Sequence, residues 1–327
     1  MLKIAFFDAK PYDKISFEKY ASIHGIRIKY YDTRLSEDTV ELAKNYDGIC
    51  ALVNDDVSSV VLESLCRYGI KFVVMRCAGY NNVDLKSAKG KIRVARVPAY
   101  SPYAIAEHAM AMLLCSVRKI HKAFIRTKDF NFSLDGLTGF DLHGKTVGVV
   151  GTGKIGQAFI SICKGFSMNI LAYDKICNTD VTYVKLDEIL SRSDIISLHC
   201  PLTEETYHMI DKNAIAKMKR GAILINTSRG ALIDTDALLD GIRERKIGGA
   251  CLDVYEEEAD VFYNDLSDTI VNDDTLLKLI SMPNVIVTSH QAYLTSEALD
   301  SIARITVENA CALMNGGNCE NEIFFQG

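Results

Sequence analysis

The sequence predicts an α/β protein of two doubly wound parallel-sheet domains, and three observations carry that expectation. Short apolar segments alternate with amphipathic ones through the first hundred residues. A second such series restarts at Thr146. Between the two lies Pro98-Ala99-Tyr100-Ser101-Pro102, where paired prolines disfavour regular structure. A β-α-β rhythm implies a parallel sheet with helices on both faces. A chain of 327 residues, 48% of them hydrophobic, has material for two cores.

In the first series the strands are expected at Lys3–Phe7, Arg27–Tyr30, Gly48–Val53, Phe72–Met75 and Arg93–Arg96, with a helix at Ser58–Tyr68. The proline segment marks the crossover. A long helix follows, Ala104–Arg126, with Ala106, Ala109, Met110, Leu113, Leu114 and Val117 at helical spacing. Six strands fill the second series: Thr146–Val150, Asn169–Tyr173, Ile195–Leu198, Ala222–Asn226, Gly249–Leu252 and Val285–Val287. The last helix, Ser296–Met314, is expected to return to the first domain. The domains then divide as 1–100 plus 294–327, and 101–293. Phe324-Phe325-Gln326-Gly327 reads as a frayed tail or a cloning remnant.

Composition excludes several function classes. A net charge of -5 argues against a general nucleic-acid role. No apolar run approaches the roughly 20 residues that span a bilayer. The N-terminus meets Asp8 too soon for a secretory leader, so a cytoplasmic protein is expected. The ten cysteines are scattered with no C-x-x-C pair, as expected of reduced thiols used as small hydrophobes. The seven histidines show no metal-binding spacing, so no metal is expected.

The chemistry-bearing motif is Gly151-Thr152-Gly153-Lys154-Ile155-Gly156, a G-x-G-x-x-G that directly follows an apolar strand and opens a helix. Gly151 permits the tight turn, Gly153 lets backbone approach a pyrophosphate, and Gly156 lets helix pack on strand. The helix N-terminus then faces the anion. The next strand ends in Asp174, 18 residues beyond Gly156. An acid there accepts hydrogen bonds from ribose hydroxyls and repels a 2′-phosphate, so NAD is expected over NADP. Lys175 beside it works against that preference.

Three further polar residues follow strand-like segments. Arg229 ends Asn226-Thr227-Ser228-Arg229, where a guanidinium can grip a carboxylate with two parallel hydrogen bonds. His290 lies just past Val285–Val287, and a histidine titrates in the range that proton transfer during hydroxy-acid oxidation needs. The cluster Glu256-Glu257-Glu258 offers it a carboxylate partner, although spacing alone does not choose among the three.

The chain resembles the D-isomer-specific 2-hydroxyacid dehydrogenases, most closely the fermentative members that interconvert pyruvate and D-lactate. The resemblance spans nearly the whole chain. It rests on Arg76–Asp84, Pro98–His108, the glycine loop, His199–Thr203, Asn226–Leu232, Asp253–Glu258 and Thr288–Thr295. It implies two Rossmann-like domains separated by an active-site cleft. His290 would be the acid/base, Glu258 its carboxylate partner, and Arg229 the carboxylate-binding and polarising group. Ala78 and Gly79 would hold the substrate carboxylate through backbone N–H groups, Tyr100 would close that side, and Tyr293 would face the substrate side chain. Cys200, Pro201 and Thr206 would line the adenine side of NAD, and Thr227, Ser228 and Asp253 the nicotinamide half. The partners implied are a small 2-oxo or 2-hydroxy acid and a second copy of the chain. A homodimer would form on the long helix, with a tetramer left open and with His108 and His121 structural or interfacial. Tyr103 and Tyr293 depart from close relatives, and the added hydroxyl of Tyr293 keeps a larger 2-oxo acid such as 2-oxoisocaproate as an alternative. A non-catalytic NAD-sensing protein, like the corepressors of this architecture, is the alternative of a different class.

Overall fold

The computed structural model describes residues 1–258 and 261–325. It forms two compact units, Met1–Ser101 with Leu294–Gly327, and Pro102–Tyr293. Each is α/β on an all-parallel sheet, of five strands in the first and seven in the second.

The first unit begins β1 (Lys3–Phe6), α1 (Pro11–His24), β2 (Arg27–Tyr30), β3 (Gly48–Ala51), α2 (Ser59–Arg67), β4 (Phe72–Met75), α3 (Leu85–Ala88) and β5 (Arg93–Arg96). Its strand order is β2-β1-β3-β4-β5. β3 and β4 are buried throughout, as covered parallel strands must be. The expected extension of β3 to Val53 does not occur. Asp55 accepts hydrogen bonds from the Leu52 and Leu35 N–H groups (2.6 and 2.7 Å) and turns the chain after Ala51.

In the second unit the run expected as one long helix is two. They are α4 (Pro102–Arg118) and α5 (Ile120–Lys128), broken at Lys119, which adopts the left-handed conformation at φ 52°. The cause is a close backbone approach. A Cβ on Gly139 would stand 2.1 Å from the Val117 carbonyl oxygen, so the following loop crosses the end of α4 where a continued helix would run. Lys119 Nζ then donates to the Gly136 carbonyl (3.0 Å).

The sheet series continues as β6 (Thr146–Val150), α6 (Lys154–Gly165), β7 (Asn169–Tyr173), β8 (Thr182–Tyr183), α7 (Leu186–Arg192), β9 (Ile195–Leu198), α8 (Lys212–Lys217), β10 (Ala222–Asn226), α9 (Thr235–Arg243), β11 (Ile247–Leu252), α10 (Asp274–Ser281) and β12 (Val285–Val287). The order is β12-β11-β10-β9-β6-β7-β8, seven strands where six are expected. The additional one, β8, has two residues, too few to carry a period-2 signal. The order reverses between β6 and β9, and in open α/β sheets ligands bind at the carboxyl ends of the strands at such a switch point.

The chain then closes the first unit with α11 (Ser296–Met314), capped by the Thr295 hydroxyl, which accepts from Ala298 N–H (3.2 Å). α11 packs on α1, β4 and β5. The segment after it extends the β5 edge. Ile323 N–H donates to Val94 O (2.9 Å), and Arg93 pairs with Glu322 through two hydrogen bonds (2.9 and 2.5 Å). Phe324 is exposed, Phe325 lies under Lys89 Nζ, and Gln326 and Gly327 of the expected tail fall outside the described residues.

Among the described residues no helix is long and apolar enough to cross a membrane, and all ten cysteines are free thiols. Gly48 shows how tightly the first sheet is filled: an added Cβ would lie 2.2 Å from the ring of the fully buried Phe72. Gly48→Ala should therefore cost about 1–3 kcal/mol by overpacking, read as a lower urea midpoint.

Candidate active site

The glycine loop lies at the switch point. Gly151 follows β6 at φ 93°, and a Cβ there would meet Cys200 N at 2.6 Å, beside the end of β9. A Cβ on Gly156 would lie 2.0 Å from the Gly151 carbonyl oxygen. These two glycines are required by the protein's own packing. Gly153 differs, since a Cβ there would meet nothing within 4 Å. It opens onto free space at the start of α6, and no side chain caps that helix. Lys154 is exposed and Ile155 half-buried in the first turn. Uncapped N–H groups beside an open glycine fit a pyrophosphate.

Asp174 ends β7 and reaches back to this loop. Its Oδ2 accepts from Thr152 N–H (2.5 Å) and the Thr152 hydroxyl (3.0 Å), and Oδ1 accepts from Ile176 N–H (3.2 Å). Burial opposes its charge, but these hydrogen bonds outweigh it and hold the carboxyl below the ordinary range. Lys175 is paired with Glu205.

Across the switch, the Cys200 carbonyl accepts from the Ser228 hydroxyl (2.6 Å), and the Pro201 carbonyl accepts from the Thr206 hydroxyl (2.8 Å). Thr227 is buried, and its hydroxyl has no partner among the described residues. A buried hydroxyl left unpaired is costly, and a ligand in this position would satisfy it. The residues present thus fit a dinucleotide along Gly151–Gly156, Asp174, Cys200–Pro201 and Thr227.

Arg229, Glu258 and His290 follow three neighbouring strands, β10, β11 and β12, at their carboxyl edge. His290 Nδ1 and Glu258 Oε1 are 2.6 Å apart. Glu258 also accepts from Tyr255 N–H through Oε2 (2.9 Å), so the geometry selects it from the three-acid cluster. Glu256 instead pairs with His208 (2.7 Å). With Nδ1 engaged, the His290 ring keeps Nε2 for a substrate. Arg229 is anchored by its backbone, whose carbonyl accepts from Asn226 Nδ2 (2.8 Å). Gly230 lies too close to the Tyr255–Glu256 backbone for any Cβ.

Asp253, at the end of β11, is fully buried. It accepts from the Thr288 hydroxyl (2.6 Å), Gln291 N–H (2.9 Å) and Ala292 N–H (2.9 Å). Burial opposes its charge, but the hydrogen bonds from Thr288, Ala292 and Gln291, with the His108 ring close by, hold the carboxyl below its ordinary range. Tyr263 adds a hydrogen bond to the His290 carbonyl (3.1 Å). Sequence reading missed Asn226, Thr288 and Tyr263 as supports. Each acts through a hydrogen bond to a residue distant in sequence or to backbone, which periodicity does not register.

In the first unit, Ala78 and Gly79 follow β4. Their carbonyls accept from Arg96 Nη1 (2.7 Å) and Cys77 Sγ (3.2 Å) respectively. Tyr100 and Tyr293 are half-buried, at the ends of the two units' segments. Among the described residues no group of three or more His, Cys, Asp or Glu side chains is placed to hold a metal.

Residues 110–292 match the family model described as D-isomer specific 2-hydroxyacid dehydrogenase, NAD binding domain. The chain belongs to the D-isomer specific 2-hydroxyacid dehydrogenase family. It is 48% identical to a 2-hydroxyacid dehydrogenase homolog of Haemophilus influenzae, over 98% of either chain. The apo structure of D-lactate dehydrogenase from Escherichia coli superposes with a TM-score of 0.92 at 45% identity, covering 98% of this chain and 100% of that one. The Salmonella D-lactate dehydrogenase structure gives 0.89 at 47% identity, covering 99% and 100%. The second unit is therefore an NAD-binding domain, and the protein is a 2-hydroxyacid dehydrogenase.

His199 beneath the glycine loop generates a pH prediction. Its ring shares a hydrogen bond with Ser197 Oγ (2.9 Å), its buried Nδ1 has no partner among the described residues, and burial pushes its pKa down to about 4. The unfolded chain, with an ordinary histidine near 6.5, binds more protons between these values. Stability from this group is intact above about 6.5 and is lost as pH falls toward about 4. Asp55, raised to about 6 by burial, has the opposite sign, but it lies in the other unit. His199→Asn should flatten the decline in urea midpoint between pH 6.5 and 4 relative to wild type.

Proposed function

We propose that the protein is an NAD-dependent D-lactate dehydrogenase that reversibly reduces pyruvate. The observation that carries the reading is the His290–Glu258 pair at 2.6 Å, whose residues follow β12 and β11, next in the sheet to β10, the strand that ends before Arg229. The D-lactate dehydrogenases at 45–47% identity support pyruvate as the substrate.

Held along Gly151–Gly156 and Asp174, NADH would supply the hydride that reduces the 2-oxo carbon. Arg229 grips the substrate carboxylate and stabilises the charge that develops on the oxo oxygen. His290 donates the proton to that oxygen from Nε2, while Glu258 on Nδ1 fixes the ring's orientation and tautomer. In the first unit, Ala78 and Gly79 have their carbonyls tied back, and their N–H groups serve the substrate carboxylate. Tyr100 and Tyr293 bound the substrate.

The test follows NADH absorbance with pyruvate and 2-oxoisocaproate in parallel. Pyruvate should be the faster substrate. His290→Ala should lose about 10²–10⁴-fold in kcat, and Arg229→Lys should raise KM for the oxo acid and lower kcat as well. Preference for 2-oxoisocaproate would reassign the substrate and keep the roles. Tight NADH binding without any turnover would sink the enzyme reading in favour of a sensor.

The protein also acts as a homodimer in this proposal. Phe124, Ile125, Phe130, Phe132 and Leu134 stand exposed on α5 and the loop after it, and a group of large apolar side chains left in water supports an interface there. Light scattering should give twice the 36.3 kDa chain mass, and Phe124→Asp with Phe132→Asp should reduce it to one.

A further inference from the structure

The proposed chemistry gives no role to a polar contact made by His108 beneath the reactive edge of the nucleotide unit. His108 is half-buried on α4, whose fully buried positions are all apolar: Ala104, Ala106, Ala109, Met110, Met112, Leu113 and Val117. Its Nε2 is 3.1 Å from Thr288 Oγ1 and 3.4 Å from Asp253 Oδ1. If packing alone were required there, an apolar side chain would serve.

The hydrogen inventory fixes the direction of this contact. An ionised carboxylate only accepts, and a threonine hydroxyl has one proton. Thr288 Oγ1 lies 2.6 Å from Asp253 Oδ1, so that proton lies between them. The Thr288 oxygen therefore accepts from His108, whose Nε2 carries a hydrogen. The order is His108 to Thr288 to Asp253.

Asp253 is also where the His290 loop is held. Its carboxylate takes the Gln291 and Ala292 N–H groups, and its main-chain oxygen takes the His290 N–H (2.8 Å). His290 has φ 54°, a left-handed conformation that non-glycine residues rarely adopt. Most of the hydrogen bonds that hold the loop in it go to this one residue, with Tyr263 and Leu252 adding one each.

We propose that His108 is a positioning residue for His290. Its Nε2–H orients the Thr288 hydroxyl, so that Asp253 clamps residues 288–292 in the conformation that presents the His290 ring. The inference rests on the reading of His290 as the acid/base. His108 itself touches neither substrate nor cofactor.

The test compares His108→Leu, which keeps bulk and removes the donor, with His108→Gln, which keeps an N–H donor at similar reach. Hydrogen–deuterium exchange over residues 285–294 and steady-state pyruvate reduction are both read. In the Leu variant the Gln291 and Ala292 amides should exchange about tenfold faster, and kcat should fall about tenfold with KM for the oxo acid unchanged. The Gln variant should recover most of both. Thr288→Val should reproduce the Leu variant, and the double variant should be no worse than either single one. If His108→Leu does not fold, Thr288→Val alone decides the matter: faster exchange at Gln291 and Ala292 with a lower kcat supports the relay, and wild-type values overturn it. Wild-type exchange and turnover in the Leu variant would overturn the proposal. So would equal impairment by Leu and Gln, or additive effects of His108→Leu and Thr288→Val. The exchange readout needs no turnover. A wild-type protein that reduces no 2-oxo acid would defeat the functional reading while the clamp is still decided.

Discussion

A single buried carboxylate organises the reactive edge of the nucleotide unit. Asp253 has no solvent exposure, and an unpaired charge so placed would be prohibitive. It is tolerable because hydroxyl and backbone donors from residues 288–292 converge on it. The same bonds oblige that loop to leave β12 in one way only. His290 thereby lies within hydrogen-bond reach of Glu258, although 32 residues separate them in the chain. Solvation of one charge and placement of one ring are the same physical event.

The cofactor end of the sheet uses a different economy. There the constraint is closeness of backbone to backbone. Gly151 and Gly156 are demanded from inside, by Cys200 and by each other, whereas Gly153 is demanded only from outside. Asp174 serves both sides, since its Oδ2 secures Thr152 in the loop while the strand end where it stands faces the ligand edge. The sheet thus divides its carboxyl edge between the glycine loop near β6 and β9 and the Arg229, Glu258 and His290 side chains that follow β10, β11 and β12.

Much of this was legible in the sequence because the signals were local. The glycine loop, the acid ending β7, and an Arg and a His each following an apolar strand are read within a few residues. Strands such as Phe72–Met75 and Ile195–Leu198 announced themselves as buried, largely apolar runs. What stayed hidden depends on distant parts of the chain. The break at Lys119 is imposed by Gly139, and no residue within α4 or α5 signals it. β8 exists because Thr182 and Tyr183 find Leu171 and Ala172, not because of a pattern of its own. The choice of Glu258 over Glu256 needed resemblance at first, and geometry supplies its physical reason: one bonds His290 and the other His208. His108, read as structural or interfacial, could not be connected to Thr288 across 180 residues.

The first unit is split in sequence, with α11 and residues 321–323 completing its hydrophobic wall and its β5 edge. On a ribosome, which delivers the N-terminus first, the first hundred residues emerge without the helix that covers α1, β4 and β5. The nucleotide unit, contiguous from Pro102 to Tyr293, has its whole sequence available earlier. Vectorial synthesis therefore imposes an order in which the inserted unit matures first and the unit that begins the chain is sealed last. Until then its apolar helix-facing surface depends on chaperones or on the speed of elongation to escape aggregation.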